Sequence, residues 1–137
     1  MSLVLDTSIV LAWTYAEKTT EPVLQVFEMV KAEGAWVPAL WRWEMANVLQ
    51  TNVRRGRHGQ EFRDNALAAL TLLPIHVGAE CAENAWLNTV SLAERHRLTI
   101  YDAAYLELAI RRKIPLATLD RELRAAAESE EVKLLGA

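Results

Sequence analysis

Five short apolar runs alternate with longer segments of helical periodicity, and this alternation limits the fold more than any other feature of the chain. The runs are Leu3-Val4-Leu5, Trp36-Val37, Ile75-His76-Val77, Leu116-Ala117-Thr118-Leu119 and Val132-Lys133-Leu134-Leu135. Strands joined through helices lie parallel, because a parallel pair needs a long crossover. The expected fold class is therefore α/β: a small parallel β-sheet flanked by helices on both faces, an α/β/α sandwich with right-handed crossovers. With 137 residues, 52% hydrophobic and 24% charged, residues 1–137 read as a single domain able to bury its own core.

The helical segments follow from spacing and punctuation. A short helix is predicted over 9–15. Another opens at Thr19-Thr20-Glu21-Pro22, where a capping hydroxyl, an acid and a proline fall in order. Val23, Val26, Phe27 and Val30 share its inner face, and Gly34 ends it. Pro38 opens a helix with Leu40, Trp41, Met45, Val48 and Leu49 on one stripe. Phe62, Ala66, Leu70 and Leu73 mark the next, and Pro74 stops it. Ala82, Ala85, Trp86, Thr89 and Ala93 mark another, as do Ala103, Leu106 and Ile110. A short helix over 121–127 leads to the last strand, expected at a sheet edge.

Composition removes several classes. No apolar stretch approaches the roughly 20 residues of a membrane span. The start of the chain lacks a basic, apolar and small-residue leader pattern, so a cytoplasmic location is expected. Cys81 is the single cysteine, which rules out an internal disulfide and the paired-cysteine zinc patterns. It reads as a small apolar residue at a helix start. His76 stands alone on its strand and reads as structural. The net charge of -3 is not that of a protein binding nucleic acid by bulk charge. A polyanionic ligand would need local bases or bound cations. The run Arg54-Arg55-Gly56-Arg57-His58-Gly59 is basic, and its glycines mark a turn. Arg54, Arg55 and Arg57 are also candidates for contact with phosphates or with an acidic partner. Trp36, Trp41, Trp43 and Trp86 have the spacing of core or interface packing, with a base-stacking platform as the alternative.

Four acids stand where the alternating pattern makes them informative. Asp6 ends the first strand and Asp120 the fourth; Asp102 opens a helix just before the latter. Each has an alternative reading as a helix cap. Glu44 lies on the apolar stripe of its helix, four residues from both Leu40 and Val48. A carboxylate there breaks the local pattern, and such breaks tend to mark functional sites. Its alternative is a stripe-edge residue turned to water or paired with a base. Capping does not explain the joint pattern. Strand ends of a parallel sheet share one edge, where ligands of open α/β sheets bind. Carboxylates gathered there would repel one another and raise their own pKa values. Hard divalent cations relieve that, and carboxylate oxygens suit Mg²⁺ or Mn²⁺. Such ions activate water and clamp oxygens in displacement at phosphorus. An acidic, metal-dependent nuclease is consistent with the net charge.

The chain also resembles the PIN-domain family, and within it the small VapC-type toxins of bacterial toxin–antitoxin pairs. The resemblance rests on Val4-Leu5-Asp6-Thr7-Ser8, on residues 37–49 around Leu40-Trp41-Arg42-Trp43-Glu44, on residues 98–109 around Tyr101-Asp102-Ala103-Ala104-Tyr105, and on Pro115-Leu116-Ala117-Thr118-Leu119-Asp120. Their order and separations span essentially the whole chain. The resemblance implies a Mg²⁺- or Mn²⁺-dependent endoribonuclease. It implies an acid cluster of Asp6, Glu44, Asp102 and Asp120, with Ser8 and Thr118 as supporting polar residues. It further implies an RNA substrate, a cognate VapB-like antitoxin whose tail inserts near the site, and a homodimer. Thr99 stands where many relatives have Ser, and Leu123 where some carry a further acid, which leaves Asp120 as the lone acid of its motif.

The roles expected are metal ligation by Asp6, Asp102 and Asp120, directly or through water, and orientation or deprotonation of the attacking water by Glu44, or support of a second ion. One-metal and two-metal action are both open. A PIN-type RNA-processing nuclease without a toxin role is one alternative. A haloacid-dehalogenase-like phosphatase is another, but it wants a second Asp two residues after the first, where Ser8 stands. A receiver domain would need an acidic pair at the first strand and a lysine at the last. A non-catalytic module on the same fold would have lost acids.

Overall fold

A computed structural model describes residues 2–16 and 19–137. Among these residues the chain forms β1 (Leu3–Leu5), α1 (Thr7–Tyr15), α2 (Glu21–Glu33), β2 (Ala35–Val37), α3 (Leu40–Arg54), α4 (Gln60–Thr71) and β3 (Ile75–Val77). There follow α5 (Cys81–Asn84), a π-helical turn (Ala85–Thr89), α6 (Val90–His96), α7 (Ile100–Arg112), β4 (Leu116–Ala117), α8 (Arg121–Ser129) and β5 (Leu134–Leu135). The strands make one five-stranded sheet in the order β3-β2-β1-β4-β5, and all its pairings are parallel. The expected α/β sandwich is therefore the fold. None of the helices of the described residues is long and apolar enough to cross a membrane.

β1 is the centre. Leu3, Val4 and Leu5 are fully buried, as a strand covered on both faces requires. The chain winds from β1 outward to β2 and β3, then returns to β1's other side for β4 and β5. The winding direction reverses between β1 and β4, and such a switch point leaves a crevice at the carboxyl ends of the strands. Val4 pairs with Leu116 and Leu5 with Ala117, which sets Asp6 beside Thr118.

Several sequence expectations need correcting. β4 ends at Ala117, not Leu119. Beyond it the amides of Leu119 and Asp120 bond to the hydroxyls of Ser8 (2.9 Å) and Thr118 (3.1 Å), so the chain leaves the strand. The helix predicted around Ala85 is interrupted by the π-turn. Its extra residue shifts the helical register, so Thr89 is buried while Trp86, expected on the same stripe, is 89% exposed. Trp43 is 72% exposed, whereas Trp41 is buried as expected. Trp36 is half-buried beneath the Arg112 guanidinium, 3.5 Å from its ring centre. Cys81 does open a helix but is only half-buried. His76, beside Trp36, is exposed.

Gly34 ends α2 at φ 81° and ψ 176°, donating to the Val30 carbonyl at 2.9 Å. A Cβ there would stand 3.0 Å from the Pro74 carbonyl oxygen, the backbone acceptor that also holds Ala35 in line with β3. Neither partner is a flexible side chain. Gly34→Ala is expected to lower stability by about 2–3 kcal/mol, read from the urea midpoint at constant m.

Candidate active site at the switch point

Asp6 is 6% exposed and sits at the seam between β1 and β4. It occupies the N-cap position of α1, yet its side chain makes no capping bond. Its Oδ2 accepts instead from Ser8 Oγ at 2.7 Å and Thr118 Oγ1 at 2.8 Å. Ser8 and Thr118 can donate inward because each accepts a backbone amide from the segment after β4. Burial raises the Asp6 pKa, and these hydroxyls, with the nearby amides of Ser8 and Thr7, act against that rise.

Glu44 enters from α3. Trp41, Met45 and Leu49 carry the buried stripe of that helix, and Glu44 is half-buried beside them. Among the described residues it pairs with no base. Its Oε1 accepts from Thr7 Oγ1 at 3.0 Å and from Tyr105 Oη at 2.5 Å. Tyr105 is wholly buried on α7. Burial first, then the Glu44 carboxylate, push its hydroxyl pKa upward, so it remains a donor.

Asp102 lies in the first turn of α7 and is not its cap. Thr99 takes that place and accepts from the Asp102 amide at 3.1 Å. The Asp102 carboxyl pKa is pushed up to about 6. Desolvation is the largest cause; the charges of Asp120, Asp6 and Glu44 follow in that order. Asp120 does cap α8, its Oδ1 accepting from the amides of Glu122 (2.9 Å) and Leu123 (3.1 Å). Leu123 itself is fully buried.

A common design emerges. Asp6, Glu44 and Asp120 are each fixed through one carboxylate oxygen, leaving Oδ1, Oε2 and Oδ2 without a hydrogen bond of normal geometry among the described residues. None of the four acids is ion-paired with a basic side chain among the described residues. Asp102 stands near enough to Asp120, Asp6 and Glu44 for their charges to raise its pKa, yet no three His, Cys, Asp or Glu side chains among the described residues close on a common point as metal ligands would.

The model of the PIN domain matches residues 3–129. The chain belongs to the PIN-domain family. Ribonuclease VapC3 of Pyrobaculum aerophilum is 33% identical over 127 residues, which make up 90% of this chain and 92% of that protein. The solved structure of VapBC2 from Rickettsia felis, bound to a DNA fragment from their promoter, is similar in fold. Its TM-score is 0.68 at 17% identity, covering 98% of this chain and 97% of that one. FitAcB from Neisseria gonorrhoeae gives a TM-score of 0.54 at 18% identity, covering 98% and 96%.

Within this PIN domain the basic run is divided. Arg55 and Arg57 line a cleft that also reaches Ser8 and Asp120; Arg54 is exposed outside its lining. Sequence reasoning missed Thr7 and Tyr105 as the holders of Glu44. Tyr105 follows Asp102 by three residues, the spacing that puts two side chains on one helix face, and this was the available signal.

The raised Asp102 pKa sets a pH dependence. Its folded value of about 6 exceeds the ordinary 3.8, so the folded chain binds the extra proton between these values. The associated stability is fully present below pH 4 and is lost as pH rises through about 6. A two-unit shift corresponds to about 3 kcal/mol, which solvent screening at this partly open site reduces to about 1 kcal/mol. In metal-free buffer, Asp102→Asn is expected to remove that loss and unfold at a higher temperature than wild type at pH 7, with the difference vanishing at pH 4.

Proposed function

We propose that this chain is a divalent-metal-dependent endoribonuclease and the toxin of a VapBC-type pair. The observation that carries the reading is the group of four acids without a basic partner among the described residues, in which Asp102 is pushed up to about 6 by burial and by the other three. A folded protein keeps such a group where a cation is to come. The likeness to Ribonuclease VapC3 supports RNA as the substrate. The likeness to VapBC2 supports a VapB-like partner, and a homodimer and a cytoplasmic location belong to the same reading.

The donors fit Mg²⁺ or Mn²⁺ in kind: carboxylate oxygens with no soft ligand among them. The fit is one of chemistry and charge, since among the described residues the carboxylates do not close on one point. Asp6, Asp102 and Asp120 would hold the ion, directly or through water. When bound, it offsets the charge of a phosphodiester and acidifies water. The protein's own groups do the positioning. Ser8 and Thr118 fix the face that Asp6 presents. Thr7 and Tyr105 occupy Glu44 Oε1 and leave Oε2 to orient the attacking water and take its proton. Asp120 keeps its second oxygen turned from its capping bonds.

A phosphatase of the haloacid-dehalogenase type is disfavoured by Ser8, which holds Asp6 where a second acid would stand. Purified wild-type protein is expected to cleave RNA with Mg²⁺ or Mn²⁺ and to stop in EDTA. Asp6→Asn should cut the rate by at least a hundredfold with its circular dichroism unchanged. Undiminished cleavage by this variant, or hydrolysis of small phosphate esters with none of RNA, would sink the assignment.

A further inference from the structure

The cleft beside the acids encloses about 640 Å³ between α1 and α3. It is bipolar. Asp120 and Ser8 line one end; Arg55, Arg57 and His58 line the other. The two helices run away from the sheet edge together, and α3 presents Asn47, Thr51 and Arg55 to the cleft at four-residue steps. At 1.5 Å per residue, Arg55 lies about 12 Å along α3 from Asn47. The basic end is built as a rigid corner. Gly56 takes φ 73°, and the amides of Arg57 and His58 both return to the Asn52 carbonyl, at 2.9 and 3.4 Å. His58 is stacked on Tyr15 and Phe62, at 4.8 and 4.4 Å between ring centres, and Asn52 Nδ2 donates to the Tyr15 hydroxyl at 2.8 Å. Neither arginine has a carboxylate partner among the described residues. The side chains of Asn47 and Thr51 likewise carry no hydrogen bond among the described residues.

We infer that this cleft is a subsite for single-stranded RNA flanking the bond to be cut, in which Arg55 and Arg57 hold a phosphate removed from the reacting one. The inference rests on the nuclease reading for the identity of its ligand. Two guanidinium groups without carboxylates suit a phosphate diester, which accepts their fork of donors. Asn47 and Thr51, between the charged ends, offer uncharged donors and acceptors suited to ribose hydroxyls. A volume of about 640 Å³ takes one or two nucleotides, not a duplex. The strand crosses from a rim that repels phosphate unless cations are bound to a corner that attracts it at all times. The corner therefore supplies affinity and register, and the rim the reaction.

The test is equilibrium binding of a fluorescein-labelled, single-stranded RNA octamer of mixed sequence to the full chain carrying Asp6→Asn. Anisotropy is followed in Mg²⁺ buffer over a salt series. Adding Arg55→Gln with Arg57→Gln should weaken binding at least tenfold and flatten the slope of log affinity against log salt by about 0.7, the loss of one single-strand phosphate contact. Adding Arg54→Gln, outside the cleft, should leave affinity within twofold. Unchanged affinity and slope in the double arginine variant, or no RNA binding by the Asp6→Asn chain, overturns the inference. Arginine-dependent binding of an oligoglutamate peptide with none of RNA also overturns it and assigns the corner to an acidic protein segment. Binding is read apart from cleavage. Arginine-dependent RNA binding by a wild type that cuts nothing upholds the subsite and removes the nuclease reading. Cleavage with arginine-independent binding does the reverse.

Discussion

The structure turns on one buried carboxylate held by two hydroxyls. Asp6 sits at the reversal point of the sheet, where Ser8 and Thr118 both donate to its Oδ2. An unpaired carboxylate so placed would lose its charge or open the seam. The hydroxyls work against both, although burial still leaves the Asp6 pKa raised. They donate to the acid and accept amides from the chain leaving β4, so the same bonds that hold Asp6 also steer Leu119 and Asp120. The sheet and the site are in this sense one construction. β1 cannot shift against β4 without breaking the bonds that orient the acid.

Glu44 is a second, parallel case. Thr7 from α1 and Tyr105 from α7 meet on one of its oxygens, so three helices converge on a single atom. The two holding groups also approach each other, with Thr7 Oγ1 3.0 Å from Tyr105 Oη. The contrast with the ion pairs elsewhere is instructive. Glu107, almost fully buried, is met by Arg111 at 2.7 Å, and Arg111 and Arg112 both reach Glu80. Those acids are neutralised by bases and serve to pack α7 against the turn before α5. Among the described residues, the acids at the crevice receive only neutral hydroxyls and amides, which fix direction without supplying a countercharge.

Much of the fold was legible because it is written in strong local terms. Leu3 to Leu5, Ile75 to Val77 and the Pro74 and Pro115 stops declare strands; Thr20, Pro22 and Gly34 declare both ends of a helix. Alternation then dictates a parallel sheet. What stayed hidden lies in tertiary choices. The π-turn over Ala85–Thr89 has no local marker in an alanine-rich helical stretch, so the side on which Trp86 falls was not readable. The shortening of β4 depends on the hydroxyl of Thr118 itself and on that of Ser8, 110 positions away in sequence. For the site, topology brought the acids to one edge, but the division of labour between their oxygens is a matter of ångströms. The caps are divided as well: Asp120 caps α8 through Oδ1 alone, whereas Asp102 yields the cap to Thr99.

The bond from Thr118 to Asp6 closes a loop across 112 positions of a 137-residue chain. This has a consequence for the protein as it is being made. Synthesis runs from the amino terminus, so Asp6 emerges 112 positions before its partner. Until then β1 lacks its central neighbour, and Asp6 lacks one of its two hydroxyls. A growing chain can form α2 or α3, whose contacts are local, but not the crevice. The crevice thus waits on the order of the sequence, and it can close only after the segment that follows β4 has been made.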